Sequence, residues 1–378
     1  MKTIVFDISS AVPVSGVPTS SGIGRTTFEL IQALVKCRDT LPFQLRIFAH
    51  RLKNLPFGST QFGSNIQQLR LPRWELFYRL TRALPVVEWQ TKADLFHSPH
   101  NFANVCRLDR VVLTIHDAMY FTYPEAHLHD PKEAELMVHS AKYCRAIITC
   151  SESSKRDILK YVNISPDKIH VIPWGYNCGI FYPEKDQGSL KARLRIRHGF
   201  VRDYFLATSC NTGRKRSDYL LKEYLILLRD NPQNDMVMLW RNPPARIKNI
   251  ILDNKLSPRI HLLNNVTDEE LRDLYCGATA LFFPSVYEGF GLPVLEAMAC
   301  GTPVVTTCSS SLPEVGGDAA LYISTENNDE LLEIMRAFEN GNIKINEISQ
   351  KGLSRATSFN WDNCAQQTIK VYSECLGL

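Results

Sequence analysis

Two glutamates stand on either side of a short glycine-containing segment in the second half of the chain. Glu288 precedes and Glu296 follows the run Gly-Phe-Gly-Leu-Pro. Pro293, in this run, suits the first turn of a helix, where its missing N–H leaves no hydrogen bond unmade. Glycines let the backbone approach a ligand closely, and the N-terminus of a helix favours an anion such as a phosphate. Two carboxylates beside an anion site would bind hydroxyl groups, one of a sugar and the other of a ribose.

Three further polar segments follow predicted strands. Gly213-Arg214-Lys215-Arg216 follows a strand at Tyr204–Thr208, and His116-Asp117 lies at the end of another strand. Gly22-Ile23-Gly24-Arg25 follows the first strand and opens a helix. The cations could hold a phosphate. However, a charge cluster is more often a solvated face, a lone histidine is more often structural, and tight strand–helix turns use glycine in any case.

These segments need a scaffold of alternating strands and helices. Helical patterns are predicted at Thr26–Lys36, Ser217–Arg229 and Asp268–Cys276, the last with Thr267 as N-cap. Short apolar runs predict strands at Thr3–Phe6, Leu45–Ala49, Asp94–His97, Val111–Ile115, Ala146–Cys150, Ile169–Ile172, Tyr204–Thr208, Met236–Trp240, Arg259–Leu263, Thr279–Phe283, Val304–Thr306 and Ala320–Ile323.

Apolar strands separated by helices indicate parallel sheets, and two such sets indicate two doubly wound Rossmann-like lobes. We predict an N-terminal lobe at residues 1–185 and a C-terminal lobe at residues 186–378. The final helix, at about residues 360–378, could pack back on the first lobe. Ligands of such sheets sit beyond the carboxyl ends of the strands, so the expected site is a cleft where the two lobes face each other.

The segment from Glu288 to Glu296 resembles the donor-binding signature of retaining glycosyltransferases of the GT-B fold. The resemblance, to the group 1/family 4 class of bacterial mannosyltransferase-like enzymes, runs over nearly the whole chain. It implies that Arg214 and Lys215 grip a diphosphate, although Arg216 replaces the usual asparagine of the family. It implies catalytic roles for Glu288, His116, Lys215 and Arg214, donor binding by Glu296, Gly289, Phe290, Gly291, Leu292, Val266 and Asn265, and an acceptor side at Asp117, Gly22 and Gly24.

The implied reaction moves a hexose, with mannose favoured, from a nucleoside diphosphate sugar to a glycan or lipid-linked acceptor with retention of configuration. GDP-mannose is the favoured donor and a UDP-sugar remains open. No D-x-D-type acidic pair with a clear role is present, so we expect neither a metal nor another cofactor. Alternatives are a nucleotide-sugar epimerase on the same fold, a non-catalytic sugar-nucleotide-binding protein and, more weakly, an NAD-linked dehydrogenase.

Composition favours a globular protein, with 44% hydrophobic and 22% charged residues and a net charge of +4. That mild charge permits an anionic ligand or an acidic membrane surface and does not require nucleic acid. The early Asp7 argues against a signal peptide, and no window is apolar enough to span a membrane. The eleven cysteines form no C-x-x-C pair, so we expect free thiols in a cytoplasmic protein.

One segment suggests contact with the inner face of the cell membrane. The range Leu71–Gln90 interleaves basic and aromatic residues, a pattern of helices that lie on anionic bilayers. Aromatic residues at helical spacing more often pack in a core. The residues concerned are Arg73, Arg79, Arg82, Trp74, Phe77, Tyr78 and Trp89.

Overall fold

A computed structural model describes residues 1–11, 22–50, 66–70, 74–124, 131–211, 213–253, 256, 258–325 and 329–378. Arg73, predicted as part of the basic aromatic segment, lies outside these residues.

Two parallel sheets organise the described residues. Their strands are β1 Thr3–Asp7, β2 Gln44–His50, β3 Ile66–Leu69, β4 Leu95–Ser98, β5 Val111–Thr114, β6 Ala146–Thr149, β7 Ile169–Val171, β8 Tyr204–Ala207, β9 Asp235–Leu239, β10 Ile260–Leu263, β11 Ala280–Phe283, β12 Val304–Thr307 and β13 Ala320–Ile323. The seven-stranded sheet has the order β3-β2-β1-β4-β5-β6-β7, and the six-stranded sheet has the order β10-β9-β8-β11-β12-β13. Both orders reverse beside the first strand of the set, as in doubly wound folds, which confirms the predicted fold class.

The helices connect these strands. They are α1 Gly22–Lys36, α2 Glu75–Ala83, α3 Val86–Thr91, α4 Met119–Thr122, α5 Pro131–Tyr143, α6 Glu152–Tyr161, α7 Gln187–His198, α8 Ser217–Leu227, α9 Ala245–Asp253, α10 Asp268–Gly277, α11 Leu292–Ala299, α12 Leu312–Gly316, α13 Asp329–Glu339, α14 Ile345–Ala356 and α15 Trp361–Leu376. Among the described helices, none is long and apolar enough to cross a membrane.

The twelve strands predicted from sequence are all present, with bounds that differ by one residue at most at either end. Strand β3 was not predicted, because two glutamines fill the centre of its four residues and leave no apolar run. Helix α1 begins at Gly22, four residues before the predicted start at Thr26. The two glycines therefore lie in its first turn and do not form a loop ahead of it.

The chain divides into two compact units. The first unit comprises Met1–Gly175 and Asn360–Leu378, and the second unit comprises Tyr176–Phe359. The first unit ends before the boundary predicted at residue 185. The reason lies in Arg272 of α10, which donates to Tyr182 O and pairs with Glu184, so this stretch packs in the second unit.

Helix α15 packs within the first unit, against α1. Its Tyr372 is fully buried and hydrogen-bonds to His97 of β4. At the start of the same helix, Trp361 N would stand only 2.3 Å from a Cβ atom at Gly175. A side chain at that position would clash with backbone, so the last helix depends on glycine there.

Candidate functional site

The loop between β11 and α11 is the most enclosed part of the predicted donor site. Glu288, Gly289, Phe290 and Gly291 are all buried, and Leu292 is half-buried at the start of the helix. Gly291 is the N-cap of α11 with φ of 110°, a conformation that L side chains rarely adopt. A Cβ atom there would also stand 3.0 Å from Leu312 Cδ2. The sequence prediction of a glycine turn followed by a proline-initiated helix is confirmed here.

Three side chains converge on one carboxylate oxygen of this loop. Glu288 Oε1 accepts from Arg214 Nη1 at 2.8 Å and from Lys215 Nζ at 2.6 Å. Ser285 Oγ donates to the same oxygen at 2.5 Å. We call Arg214, Lys215, Ser285 and Glu288 the ion cluster. The structure therefore brings together three residues that the sequence placed in two segments more than 70 positions apart in the chain.

Sheet topology explains this meeting. Strands β8 and β11 are hydrogen-bonded neighbours, so the segments at their carboxyl ends lie side by side. A 3-10 turn at Gly213–Lys215 carries the two cations, and Val286 N donates to Arg214 O at 2.8 Å. That backbone hydrogen bond fixes one loop against the other and sets the distance at which the side chains meet.

The ion cluster is largely shielded from water. The side chains of Lys215 and Glu288 are only 10% and 11% exposed. Burial opposes ionisation of Glu288, but the positive charges of Lys215 and Arg214 outweigh it and lower the pKa of this carboxyl below its ordinary value. Burial lowers the pKa of Lys215, and the negative charge of Glu288 acts in the opposite direction. Lys215 and Glu288 thus stabilise each other's ionised form against the effect of burial.

Serine hydroxyls hold the backbone of the same loop. Ser310 Oγ donates to Glu288 O at 2.5 Å, and Ser311 Oγ donates to Glu288 O at 2.9 Å and Phe290 O at 2.8 Å. Ser285 was not singled out from the sequence. The position of Ser285 three residues before Glu288 was a signal that could have been used.

Glu296 lies on α11 and is 3% exposed. Tyr275 Oη of α10 donates to its Oε2 at 3.4 Å. The hydroxyl of Thr302 donates to Tyr275 O at 2.6 Å, which ties the end of α10 to the strand that follows α11. Sequence reasoning missed this tyrosine, whose only signal was its place at the end of an amphipathic helix.

The remaining predicted donor residues lie at other strand ends of the same sheet. Asn265 is exposed and has φ of 52°, and Val266 is half-buried; both follow β10.

Arg216 packs over the ring of Tyr219 at 4.2 Å and donates to Thr325 O at 3.2 Å. Arg216 thus contacts residues outside the ion cluster, and which cations bind the phosphate stays a prediction.

In the first unit, His116 follows β5 and is 5% exposed. Its Nε2 contacts Pro99 O at 3.0 Å, which makes this nitrogen the protonated donor. Its Nδ1 is buried without a hydrogen-bond partner among the described residues. Burial lowers the pKa of His116 to about 4, so the ring is neutral at pH 7. The ring also packs on Trp174 at 5.1 Å between centroids.

Further polar groups follow β1, β4 and β5, which are neighbours in the same sheet. Asp117 is half-buried, and its Oδ1 accepts from Met119 N at 2.9 Å. Asp7, at the end of β1, faces His100 Nε2 at 3.6 Å. Neither Asp7 nor His100 was predicted from the sequence as a site residue, although both also lie at carboxyl ends of strands. Gly24 is buried and Gly22 is exposed in the first turn of α1.

Among the residues that the structure describes, no group of three or more His, Cys, Asp and Glu side chains is placed to hold a metal ion.

Two family profiles match the chain, one in each half. The profile described as Glycosyltransferase Family 4 matches residues 20–179, and the profile described as Glycosyl transferases group 1 matches residues 204–355. The second range contains the whole ion cluster and Glu296. The chain is a glycosyltransferase of the GT-B fold. The predicted fold class, with two Rossmann-like lobes, and the classification as an enzyme are thereby confirmed.

Several curated relatives of this glycosyltransferase are mannosyltransferases by name. The O-antigen chain mannosyltransferase B of Escherichia coli is 29% identical over 373 residues, which is 93% of this chain and 96% of the relative. The MMP alpha-(1->4)-mannosyltransferase of Mycolicibacterium hassiacum is 29% identical over 247 residues, which is 64% of this chain and 57% of the relative. These relatives support a role in glycan biosynthesis.

Solved structures share the fold at low identity. The sucrose-phosphate synthase of Thermosynechococcus elongatus has a TM-score of 0.76 and 18% identity and covers 100% of both chains. The Anabaena HepE protein in complex with UDP and glucose has a TM-score of 0.74 and 18% identity and covers 99% of this chain and 100% of its own. At this identity the likeness supports the fold and no finer statement.

Proposed function

We propose that this glycosyltransferase transfers a hexose from a nucleoside diphosphate sugar to a hydroxyl of a glycan or lipid-linked saccharide, with retention of configuration. The observation that carries the proposal is the buried ion cluster beside the N-terminus of α11. Two cations and one carboxylate leave a net charge of +1 in a place where water is largely excluded. This positive charge favours the binding of a diphosphate, which is an anion.

The chemistry follows from where negative charge develops. When the bond between the sugar and the diphosphate breaks, the leaving oxygen gains charge that Arg214 and Lys215 stabilise. Such charge-assisted hydrogen bonds are stronger in a site with little water than at the surface. In this proposal Glu288 orients sugar hydroxyls, and Glu296 binds the ribose. The incoming hydroxyl attacks on the face of the leaving group, and a phosphate oxygen takes its proton.

His116 supplies a different kind of contact. Its buried Nδ1 carries a lone pair, since Nε2 holds the proton that is donated to Pro99 O. A buried acceptor without a partner favours a ligand that donates a hydrogen bond, such as a sugar hydroxyl. We propose this role for His116, and we place Asp117 on the acceptor side.

GDP-mannose is the donor that we favour, because named relatives are mannosyltransferases. A UDP-sugar is the second candidate, because the HepE structure holds UDP. The segment at Asn265–Val266 is proposed to contact the base largely through backbone, so its side chains distinguish the two bases poorly.

The experiment compares thermal unfolding with GDP, UDP, ADP and NAD at matched concentrations. A ligand at 100 times its dissociation constant should add about 2.7 kcal/mol to stability. Stabilisation by GDP supports mannose transfer, and stabilisation by UDP supports a UDP-sugar donor. Release of the nucleoside diphosphate from the favoured sugar nucleotide, dependent on an added saccharide acceptor, then tests transfer. Stabilisation by NAD alone would refute the proposal.

We also expect transfer without a metal ion, because the sequence offers no D-x-D-type pair with a clear role. The rate after exhaustive chelation should equal the untreated rate. A rate that disappears on chelation and returns with Mg²⁺ or Mn²⁺ would overturn this expectation.

Peripheral contact with an anionic membrane is part of the proposal. Trp74, Leu76, Leu84 and Trp89 on and around α2 and α3 are 68%, 70%, 46% and 68% exposed. The segment forms two helices rather than one, because Leu84-Pro85 separates them. Exposed tryptophans and leucines on short helices are typical of surfaces that lie in the headgroup region of a bilayer.

The basic residues of this segment contribute unequally. Arg79 is exposed, whereas Arg82 pairs with Glu75 at 2.5 Å and donates to Asn104 at 2.7 Å. Tyr78 packs edge-on against His50 at 5.0 Å, and Phe77 is half-buried. The predicted membrane face is thus reduced to the exposed apolar residues and Arg79.

Vesicle sedimentation at low salt tests this contact. The protein should bind vesicles that contain phosphatidylglycerol, and the Trp74→Ser/Trp89→Ser double variant should bind several-fold less. Ile196→Ser is the matched control, since Ile196 is 86% exposed in the second unit. Equal binding of the double variant and the wild-type protein would refute the assigned surface.

A further inference from the structure

Two cysteines meet where helices α10 and α11 end. Cys276 belongs to the last turn of α10, and Cys300 is the C-cap of α11. Cys276 Sγ lies 3.8 Å from Cys300 O, so the two residues are in contact. Cys300 is 4% exposed, whereas Cys276 is half-buried and reaches Tyr182 O at 3.4 Å.

The two thiols differ in reactivity. The neighbouring side chain of Cys300 and the positive charge of Arg272 lower the pKa of Cys276 below its ordinary value, against the effect of burial. Burial raises the pKa of Cys300. A thiolate is the attacking species in disulfide exchange, so Cys276 is suited to react first and Cys300 to react second.

The pair lies close to the proposed ribose-binding carboxylate. Tyr275 precedes Cys276 and donates from its hydroxyl to Glu296 Oε2 at 3.4 Å. Cys300 N donates to Glu296 O at 3.0 Å. Cys300 is therefore linked to Glu296 by one backbone hydrogen bond. Cys276 is linked to it through the adjacent Tyr275, whose hydroxyl donates to the carboxylate.

We propose that Cys276 and Cys300 are a redox modification site whose disulfide weakens binding of the nucleoside diphosphate. The ligand in this statement rests on the proposed function. A disulfide needs an S–S distance of about 2.05 Å, shorter than any non-bonded approach of two sulfur atoms. Its formation therefore draws the ends of α10 and α11 together, which shifts Tyr275 relative to Glu296.

The oxidant is a low-molecular-weight disulfide. The thiolate of Cys276 attacks one sulfur of it and displaces a small thiolate, which gives a mixed disulfide. Cys300, after losing its proton, attacks the Cys276 sulfur and displaces the second small thiolate. Two cysteines are oxidised by two electrons, one small disulfide is reduced to two thiols, and an excess of dithiol reverses the exchange.

Mass spectrometry tests the bond itself. The reduced full chain is exposed to glutathione disulfide, its free thiols are alkylated, and it is digested. We expect a linked peptide pair that contains Cys276 and Cys300 in the wild-type protein and in Cys308→Ser, a variant of an exposed thiol in the same unit. The linked pair should be absent from Cys276→Ser. Glutathionylation of Cys308 with Cys276 and Cys300 still alkylated would overturn the proposal.

Titration with GDP and UDP tests the effect on binding. Oxidised wild-type protein should bind the preferred nucleotide about tenfold more weakly, which is the effect of one lost charge-assisted hydrogen bond. Dithiothreitol should restore the affinity, Cys308→Ser should respond in the same way, and oxidation should leave Cys276→Ser unchanged. Equal affinities of linked and reduced protein would overturn the coupling. If the reduced protein binds neither nucleotide, the proposed function fails, while the linked peptide still reports on the thiol pair.

Discussion

The ion cluster of the second unit and the buried histidines of the first unit, His97 and His116, differ in their charge state. In the ion cluster, Lys215 and Glu288 stay ionised because they neutralise each other. In the first unit, His97 and His116 are buried as neutral rings, with pKa values lowered by burial to about 3 and about 4. The ion cluster thus contains buried charges, whereas the buried histidines offer only neutral hydrogen-bond donors and acceptors.

The difference indicates which ligand groups each site favours. Fixed charges that are not fully balanced favour an anion, and the net charge of the ion cluster has the sign that a diphosphate requires. Neutral imidazoles favour hydroxyl groups, which can donate to a free lone pair. The two sites therefore differ in the ligand groups that we propose for them, a diphosphate in the second unit and hydroxyl groups in the first.

The largest effect is expected from removal of the carboxylate charge. Glu288→Gln should lower kcat by about 10³-fold, because the sugar loses an oriented partner and the cations lose the group that places them. Affinity for the nucleoside diphosphate should stay the same or rise, because a negative charge leaves an anion site. Steady-state kinetics and nucleotide titration measure both quantities. Glu347→Gln, a change in an exposed i,i+4 ion pair, is the control. A variant with the wild-type kcat would remove Glu288 from the mechanism.

Acid should destabilise the first unit through its buried histidines. Their folded pKa values of about 3 and 4 lie below the ordinary value of 6.5. The unfolded chain therefore binds protons first, and stability is complete above pH 6.5 and falls as the pH drops toward 4. Between pH 7 and pH 5 each histidine should contribute a loss of about 2 kcal/mol.

Denaturant unfolding at the two pH values measures this loss. His97→Gln should show a smaller loss than the wild-type protein, whereas His139→Gln, at an exposed position, should show the same loss. A stability that is equal at pH 7 and pH 5 would contradict the neutral state of the buried rings.

Lys215 should matter more for nucleotide affinity than its neighbour in sequence. Lys215→Met should weaken nucleoside diphosphate binding by about 10- to 100-fold, the effect of one charge-assisted hydrogen bond. Arg216→Met should change affinity by less than about threefold, since Arg216 binds Tyr219 and Thr325 instead. Calorimetric titration of both variants provides the comparison. Similar losses in the two would show that the whole basic run binds the ligand.

The smallest effect is expected from the serine that supports the loop. Ser311→Ala removes the hydroxyl that donates to Glu288 O and Phe290 O. Stability should fall by about 1–2 kcal/mol, because a buried carbonyl loses its partner. Chemical denaturation measures the change. Ser310→Ala is the matched variant, because Ser310 also donates to Glu288 O. This carbonyl therefore keeps one donor in either variant. An unchanged stability in Ser311→Ala would mean that water replaces the hydroxyl.

The sequence by itself determined the alternation of strands and helices, because buried parallel strands need continuous apolar runs. It also determined the turn that carries Glu288, since only glycine accepts the backbone at Gly291 and proline suits the following helix start. Strand β3 escaped prediction because its two glutamines break the apolar run. Local sequence patterns were sufficient to predict those features that depend on interactions between residues close together in the chain.

Only the tertiary structure decided which distant side chains share a site. Strands β8 and β11 are neighbours although two strands lie between them in sequence, and this pairing alone brings Arg214 and Lys215 onto one oxygen of Glu288. The same holds for Tyr275 on Glu296 and for the contact of Cys276 with Cys300. Such contacts depend on strand order and on helix packing, which a chain's local periodicity does not encode.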